Sequence, residues 1–567
     1  MKHLTALTMT LLITACSATE PEPDNTIIYP AQGVITVDAS NSIAEAVAVS
    51  DGTIVGVGST EHLKSQFPNA LLDSQHKSSI IIPGLIDPHV HMTLGSMMYG
   101  LEWVPPWDMP HPDGFAEGIS SKADLLQKIE DFERGQTDDS PLILYGYHNL
   151  VQGDIDKTDL NAISKTRPII IWHYSGHDFY MNSAALDLFG ITAQMRETYE
   201  GVALNAEGDL TGRIFEDAVA PLLPKLAPYL LNPAHIKKGF NGFETLLAQG
   251  GVTTIAEMGY GIFGREFENK VLEAHYDETD PYSLYLVPEH RAFAKEFGDE
   301  SPAKIIELAT NDPRILPQVK LFTDAAFYSQ TMKLEAPGYL SGQSKGTSGL
   351  WVTEPEDLPE LIAKYWDLGL DIHIHSNGDA AQNSTLTALE KQNPGADGQR
   401  LIIEHAGLIT PDQIKKAAEL GIGISAASHY VNFMGQEYKP VIAEKADYIT
   451  PLASALSAGL HVTVHSDAPL APPMPLLAAG RHMTRSTREG GIATPSEQLN
   501  AEQALRTITL DAAWSLGLEN EIGSIEVGKR ANFTFLAINP MELPGESWGA
   551  IPIQGVMLDG VMHGTPK

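Results

Sequence analysis

Eight apolar runs, each the length of a buried strand and separated by segments of helical periodicity, limit the fold of this chain more than any other feature. They lie at 80–86, 251–258, 282–288, 316–323, 371–376, 401–405, 421–427 and 461–466. Continuous hydrophobicity marks strands covered on both faces. Intervening segments such as 357–369, 411–420 and 451–459 carry a helical pattern. Eight such units predict an α/β fold, a (β/α)8 TIM barrel, over 80–510. The interval from 92 to 250 is too long for a loop and has strand- and helix-like stretches of its own. It predicts an inserted α/β lid subdomain at 95–235.

The two ends have a different texture. Short strand-like runs at 33–37, 46–49 and 53–58, with Asp51-Gly52 as a hairpin turn, read as a β-meander. The same texture returns at 531–536 and 556–560. Segments 31–79 and 511–567 are therefore expected to meet in one small β-sandwich.

Charge and cysteine usage narrow the chemistry. The 567 residues carry 37 Lys and Arg against 72 Asp and Glu, a formal charge of −35. So acidic a chain does not hold a phosphate backbone by non-specific attraction, and no nucleic-acid partner is expected. One Cys makes no intramolecular disulfide and no thiolate-rich zinc site. A metal ion would need His, carboxylate or modified Lys. The Cys is Cys16, behind Lys2, an apolar stretch from Leu4 to Ile13, and Thr14-Ala15. That stretch is about half of the roughly 20 residues that span a bilayer. Residues 1–15 resemble a bacterial lipoprotein signal, with Cys16 lipidated and 16–30 a linker; an ordinary cleaved signal with an incidental Cys is the alternative. The expected location is exported, facing the periplasm or cell exterior, with the membrane touched only through the lipid anchor.

Barrel enzymes place their chemistry at the C-terminal ends of the strands. Strand one ends in Asp87-Pro88-His89-Val90-His91, strand four carries Lys320, strand five ends at His375, strand six at Glu404-His405 and strand eight at Asp467. His89 and His91, one residue apart, point to one face and can reach a common metal. Any one of these histidines alone is more often structural; their convergence from several strands favours a site.

These residues carry a family resemblance. Pro83-Gly84-Leu85-Ile86-Asp87-Pro88-His89-Val90-His91 resembles the opening motif of the amidohydrolase superfamily of metal-dependent hydrolases. Gly176-His177-Asp178 with Met181-Asn182-Ser183, Val319-Lys320-Leu321-Phe322 with Asp324, His375 with Gly378-Asp379, Ile403-Glu404-His405-Ala406 and Ser466-Asp467-Ala468-Pro469 are similar to blocks of its amidohydrolase-3 branch, which includes N-substituted formamide deformylases. The resemblance implies one divalent ion on His89, His91 and Asp467, and a second on His375 and His405. A Lys320 carboxylated by CO2 would bridge them as a carbamate. The alternative for Lys320 is an ammonium paired with Asp324 beside a single ion. Zinc suits such ligands, and manganese, iron or cobalt would fit. The implied reaction is hydrolysis through a metal-bound hydroxide, with Asp467 as proton shuttle.

The resemblance makes His177 a lid residue that binds the substrate carbonyl or oxyanion, or else a tie between insertion and barrel. Asn182 is expected to fix the lid turn at the substrate. His429 either faces the mouth or caps strand seven. Trp103, with Tyr99 and Trp107, forms either an aromatic wall for substrate or packing for a neighbouring domain. Ala325, Ser376-Asn377, Asn532 and Tyr147-His148-Asn149 depart from the family pattern, and the first two departures border the mouth.

The leading reading is hydrolysis of a C–N bond in a small amide, N-acyl or cyclic amide substrate. An esterase, lactonase or phosphotriesterase would use the same site, and a lipid-anchored solute-binding protein is the reading from another class. The expected partners are the small-molecule substrate and a second copy of the chain in a homodimer.

Overall fold

The computed structural model describes residues 25–392 and 398–564. The leader, with Cys16, lies outside the described residues. Among the described residues no helix is long and apolar enough to cross a membrane.

All eight expected barrel strands are present, at Leu85–Val90, Val252–Tyr260, Ser283–Pro288, Gln318–Phe322, Asp371–Ser376, Leu401–His405, Gly423–Ala427 and Val462–His465. They form two parallel arcs, strands three-two-one and four to eight. Parallel bridges link the arcs at both seams, Glu289 with Lys320 and Val90 with Ala468. At the second seam the Asp467 N–H donates to the His89 carbonyl at 3.1 Å and the His91 N–H to the Ala468 carbonyl at 2.8 Å. Backbone pairing thus sets Asp467 beside the two strand-one histidines.

The first apolar run is two strands, not one. Ile80–Pro83 belongs to the terminal sheet and Leu85–Val90 to the barrel. Between them, a Cβ on Gly84 would lie 2.2 Å from Thr253 Oγ1, so only glycine lets the chain cross this close to strand two.

The terminal segments form one continuous eight-stranded sheet rather than two separately hydrogen-bonded layers. Its join is the antiparallel pairing of Ile80–Pro83 with Phe533–Leu536. A bridge from Thr53 to Arg530 brings the far edge back over a core of Val34, Val47, Ile81, Phe533 and Phe535. The first strand, Ile27–Ile35, begins inside the expected linker. Helix Leu510–Ser515 follows the expected barrel boundary, yet Ala512, Ala513, Leu516 and Ile522 pack against Ile86, Met258 and Val287 of barrel strands one to three.

The insertion has its own six-stranded sheet between Glu102 and Phe215. Strands Glu102–Trp103, Leu142–Tyr147 and Ile169–His173 run parallel. Asp178–Met181, Leu210–Phe215 and Val202–Leu204 continue the sheet antiparallel. Helices Met92–Met98 and Pro233–Gly250 connect the insertion to barrel strands one and two.

Candidate metal centre and substrate cavity

The site grows from strand-end geometry. His89 and Glu404 are both buried, and His89 Nδ1 lies 2.6 Å from Glu404 Oε2. A carboxylate only accepts, so Nδ1 carries the proton and Nε2 keeps its lone pair. That Nε2 is buried without a hydrogen-bond partner. It faces Asp467 Oδ1 at 3.6 Å. His91 is held the same way: Nδ1 lies 3.2 Å from Glu257 Oε1, and Nε2 lies 3.3 Å from Asp467 Oδ1. The other oxygen of Glu257 accepts the backbone N–H groups of Met92 at 2.7 Å and Thr93 at 3.3 Å. A carboxylate behind each ligating imidazole is the usual way proteins fix tautomer and aim.

The coordinating atoms of His89, His91 and Asp467 lie within 4.8 Å of one another, and so do those of His89, His405 and His465. His405 follows Glu404, so regular pleating would turn its side chain to the opposite face. A φ of 70° there takes the backbone out of the strand conformation, and Asp467, at φ 55°, departs likewise. Positive φ at two non-glycine residues of one site is local strain of the kind held at functional positions.

Burial, first, and then Lys320 push His375 down to about 3. Burial likewise holds His89 and His405 well below the ordinary imidazole range. Neutral rings are what metal ligation requires. Burial would lower His91 too, but hydrogen bonds to Asp467 and Glu257 outweigh it and hold it at about 9. That proton sits where a cation would balance two carboxylates. The orphaned His89 Nε2, the His and carboxylate donors and this charge balance all fit a divalent ion.

Lys320 is buried and its Nζ has no hydrogen-bond partner. Burial brings it down to about 8, with Glu404 and Asp467 opposing. The ammonium–Asp324 alternative does not form: the Asp324 carboxylate accepts the backbone N–H groups of Lys333, Asn377 and Gly378 at 2.8–2.9 Å. His375 lines the cavity, but its Nε2 engages the Ala325 carbonyl at 3.1 Å and Asn377 Nδ2 at 3.0 Å. Two residues that depart from the family pattern thus hold this ring, and only its Nδ1 remains for an ion.

These ligands line a cavity of about 790 Å³. His177 faces it from the insertion, about 40% exposed, with Nδ1 3.0 Å from Glu216 Oε2. Burial alone would lower His177; the charge and hydrogen bond of Glu216 raise it above its ordinary value. Thr331 Oγ1 donates to the other Glu216 oxygen at 2.6 Å.

Three expected substrate contacts are corrected. Asn182 is buried and fully used: Oδ1 accepts from Ile169 and Ala185 N–H groups, and Nδ2 donates to the Ser164 and Arg167 carbonyls. It caps helix Ser183–Leu188 and does not line the cavity. Trp103 stacks on Tyr99 at 5.3 Å and donates Nε1 to the Met98 carbonyl, packing the insertion onto the barrel. His429 is buried, stacked on Tyr328 at 5.4 Å, and outside the cavity lining. The aromatic wall is made instead by Trp172, Phe322, Phe327, Tyr328, Trp351 and Tyr430. Glu257, His465 and Glu216 were not singled out from sequence. The first two do stand at C-terminal ends of barrel strands, which was the available signal.

The sequence profile of the amidohydrolase family matches residues 79–562, and the chain belongs to that family. N-substituted formamide deformylase of Arthrobacter pascens is 26% identical over 550 residues, covering 94% of this chain and 96% of the relative. Protein LONG AFTER FAR-RED 3 of Arabidopsis thaliana is 24% identical over 523 residues, covering 89% and 86%. Among solved structures, an uncharacterized metal-dependent hydrolase from Pyrococcus horikoshii OT3 superposes with a TM-score of 0.67 at 19% identity, covering 92% of this chain and 99% of that one. Family and site together define a metal-dependent hydrolase.

Proposed function

We propose that this hydrolase cleaves the C–N bond of a small amide, with Asp467 as proton shuttle. The observation that carries the reading is the meeting of His89, His91 and Asp467 in a cavity that His177 also lines. The similarity to N-substituted formamide deformylase supports an amide substrate. His89, His91 and Asp467 would hold one divalent ion, and His405 with His375, His465 and a carboxylated Lys320 the second. A divalent ion, when bound, acidifies water and polarises a carbonyl.

The protein's own groups do the rest. Burial would push Asp467 up, but the His91 hydrogen bond and the charges of His405 and His89 hold it well below the usual carboxylate range. It is therefore ionised at neutral pH and accepts the proton of the attacking water, then returns it to the leaving nitrogen. His177, whose charged form the Glu216 carboxylate favours, would donate to the substrate oxygen as negative charge develops there. The aromatic wall excludes bulk water and strengthens these interactions.

The test is turnover by metal-reconstituted protein on matched formamides, N-acyl amines, cyclic amides, esters, lactones and phosphotriesters. Amides are expected to be the best substrates; turnover of esters or phosphotriesters with none of amides overturns the C–N assignment. The leader extends the proposal to location, with Cys16 lipidated and the hydrolase held at a membrane facing outward. Cys16→Ser is expected to move the protein from the membrane fraction to the soluble one without loss of activity; retention at the membrane would refute the anchor.

A further inference from the structure

One wall of the cavity carries a cation at the unfavourable end of its helix. Arg291 lies in the first turn of helix His290–Phe297 and lines the cavity. A cation near a helix N-terminus opposes the helix dipole. Four residues on, Lys295 also lines the cavity, and like charges at that spacing repel. In a chain of formal charge −35, two adjacent cations at the mouth are against the general trend.

The guanidinium is nevertheless held in place. Arg291 Nε donates to Glu289 Oε1 at 2.7 Å, and Glu289 is buried with its other oxygen on the Ala292 N–H. The guanidinium carbon sits 4.3 Å from the centroid of the Phe322 ring. The two terminal nitrogens make no hydrogen bond among the described residues, and the side chain is about half exposed. A planar fork fixed along one edge and on one face, with its outer donors unpaired on a residue that lines the cavity, suits bidentate capture of a carboxylate. Lys320 Nζ lies 5.5 Å from the same Phe322 centroid, so the guanidinium, 4.3 Å from it, is within about 10 Å of the group proposed to hold metal.

We infer that Arg291 is a specificity-determining residue that binds an anionic group of the substrate, making the substrate class a small amide bearing a carboxylate near the bond to be cut. Lys295 adds long-range attraction, and Phe263 and Trp351 of the same cavity would pack the apolar part of the molecule. The inference rests on the proposed amide hydrolysis for the word amide; the anion site itself stands on geometry.

The test therefore separates the two by measuring binding without turnover. Metal-reconstituted wild type and Arg291→Gln are titrated calorimetrically with 3-phenylpropionate and with 3-phenylpropanol, neither of which has a hydrolysable bond. Glutamine keeps a donor for Glu289, and a melting curve checks the fold. Wild type is expected to prefer the carboxylate by about 10- to 100-fold, the worth of a charge-assisted hydrogen bond. In Arg291→Gln the preference should collapse to within about threefold, with partial recovery in Arg291→Lys. A preference that survives in Arg291→Gln places the carboxylate on the metal ions alone and overturns the inference, as does equal binding of both probes by wild type. Absence of amide turnover in the substrate panel would instead strike only the proposed reaction.

Discussion

His89 shows how one residue's chemistry is set from across the barrel. Glu404 accepts the hydrogen bond of its Nδ1–H, so the lone pair is left on Nε2 beside Asp467. Glu257 likewise accepts from His91 Nδ1, but there Asp467 accepts from Nε2 as well and the ring holds both protons until an ion displaces one. Asp467 then serves both rings, and Asp467→Asn is expected to lower kcat by about 10²- to 10⁴-fold with the fold retained. Steady-state kinetics with metal analysis checks this; near-wild-type kcat would end the shuttle role. Across the cavity, Glu216 holds His177 above its ordinary pKa of 6.5, while His177 holds Glu216 below 4.5. The carboxylate's part of this stabilisation is lost as pH falls through its depressed value. The imidazole's part is full below 6.5 and lost as pH rises through its raised value. Glu216→Gln is therefore expected to cost most thermal stability between about pH 4.5 and 6.5. It should also move the alkaline limb of kcat/KM to lower pH; an unmoved limb would refute the coupling. His89, His91, His375, His405, Lys320 and Asp467 were legible as candidates because strand ends and His-x-His spacing mark them. Glu257 lies 166 residues from His91 and Glu216 39 from His177, so only the fold pairs them. The inward turn of His405 depends on a positive φ that its sequence does not announce.

At the scale of elements, the eight strands could be read because barrel strands are buried on both faces and so run apolar without a break. The first run misled at its boundary, since two sheets meet at Gly84 with no polar residue to mark the change. Sheet order inside the insertion has no such signal, and nothing in the sequence around Trp103 separates packing from substrate contact; its stack on Tyr99 does. Helix Met92–Met98 begins directly after His91 and crosses helix Pro233–Gly250 very closely. A Cβ on Gly239 would fall 1.8 Å from the Ser96 carbonyl oxygen, so the helices must part to admit it. Gly239→Ala is expected to destabilise by about 1–3 kcal/mol, as overpacking does. Because Met92 and Thr93 also fix Glu257, the same variant should weaken metal retention. Calorimetric unfolding with and without added metal reads both effects, and an unchanged melting temperature would show that the crossing has slack.

For the whole molecule, the metal centre is a tie between distant parts of the chain. Strands one, four, five, six and eight each bring a candidate ligand to the cavity, and Asp467 closes the ring against strand one through backbone bonds as well. An ion that binds only this folded arrangement stabilises it by mass action, about 2.7 kcal/mol at 100 times its Kd. Chelation is therefore expected to lower the melting temperature and abolish activity together, with both restored by one titration of metal. In the proposed two-ion site, Lys320 would set the stoichiometry. Its neutral form is favoured by burial and is the one that reacts with CO2, so the carboxylated side chain would supply an oxygen to each ion. Wild type reconstituted in bicarbonate is expected to hold about two ions per chain and Lys320→Met about one. Elemental analysis after gel filtration measures this directly, and two ions retained in Lys320→Met would show that the histidines and Asp467 suffice without the carbamate.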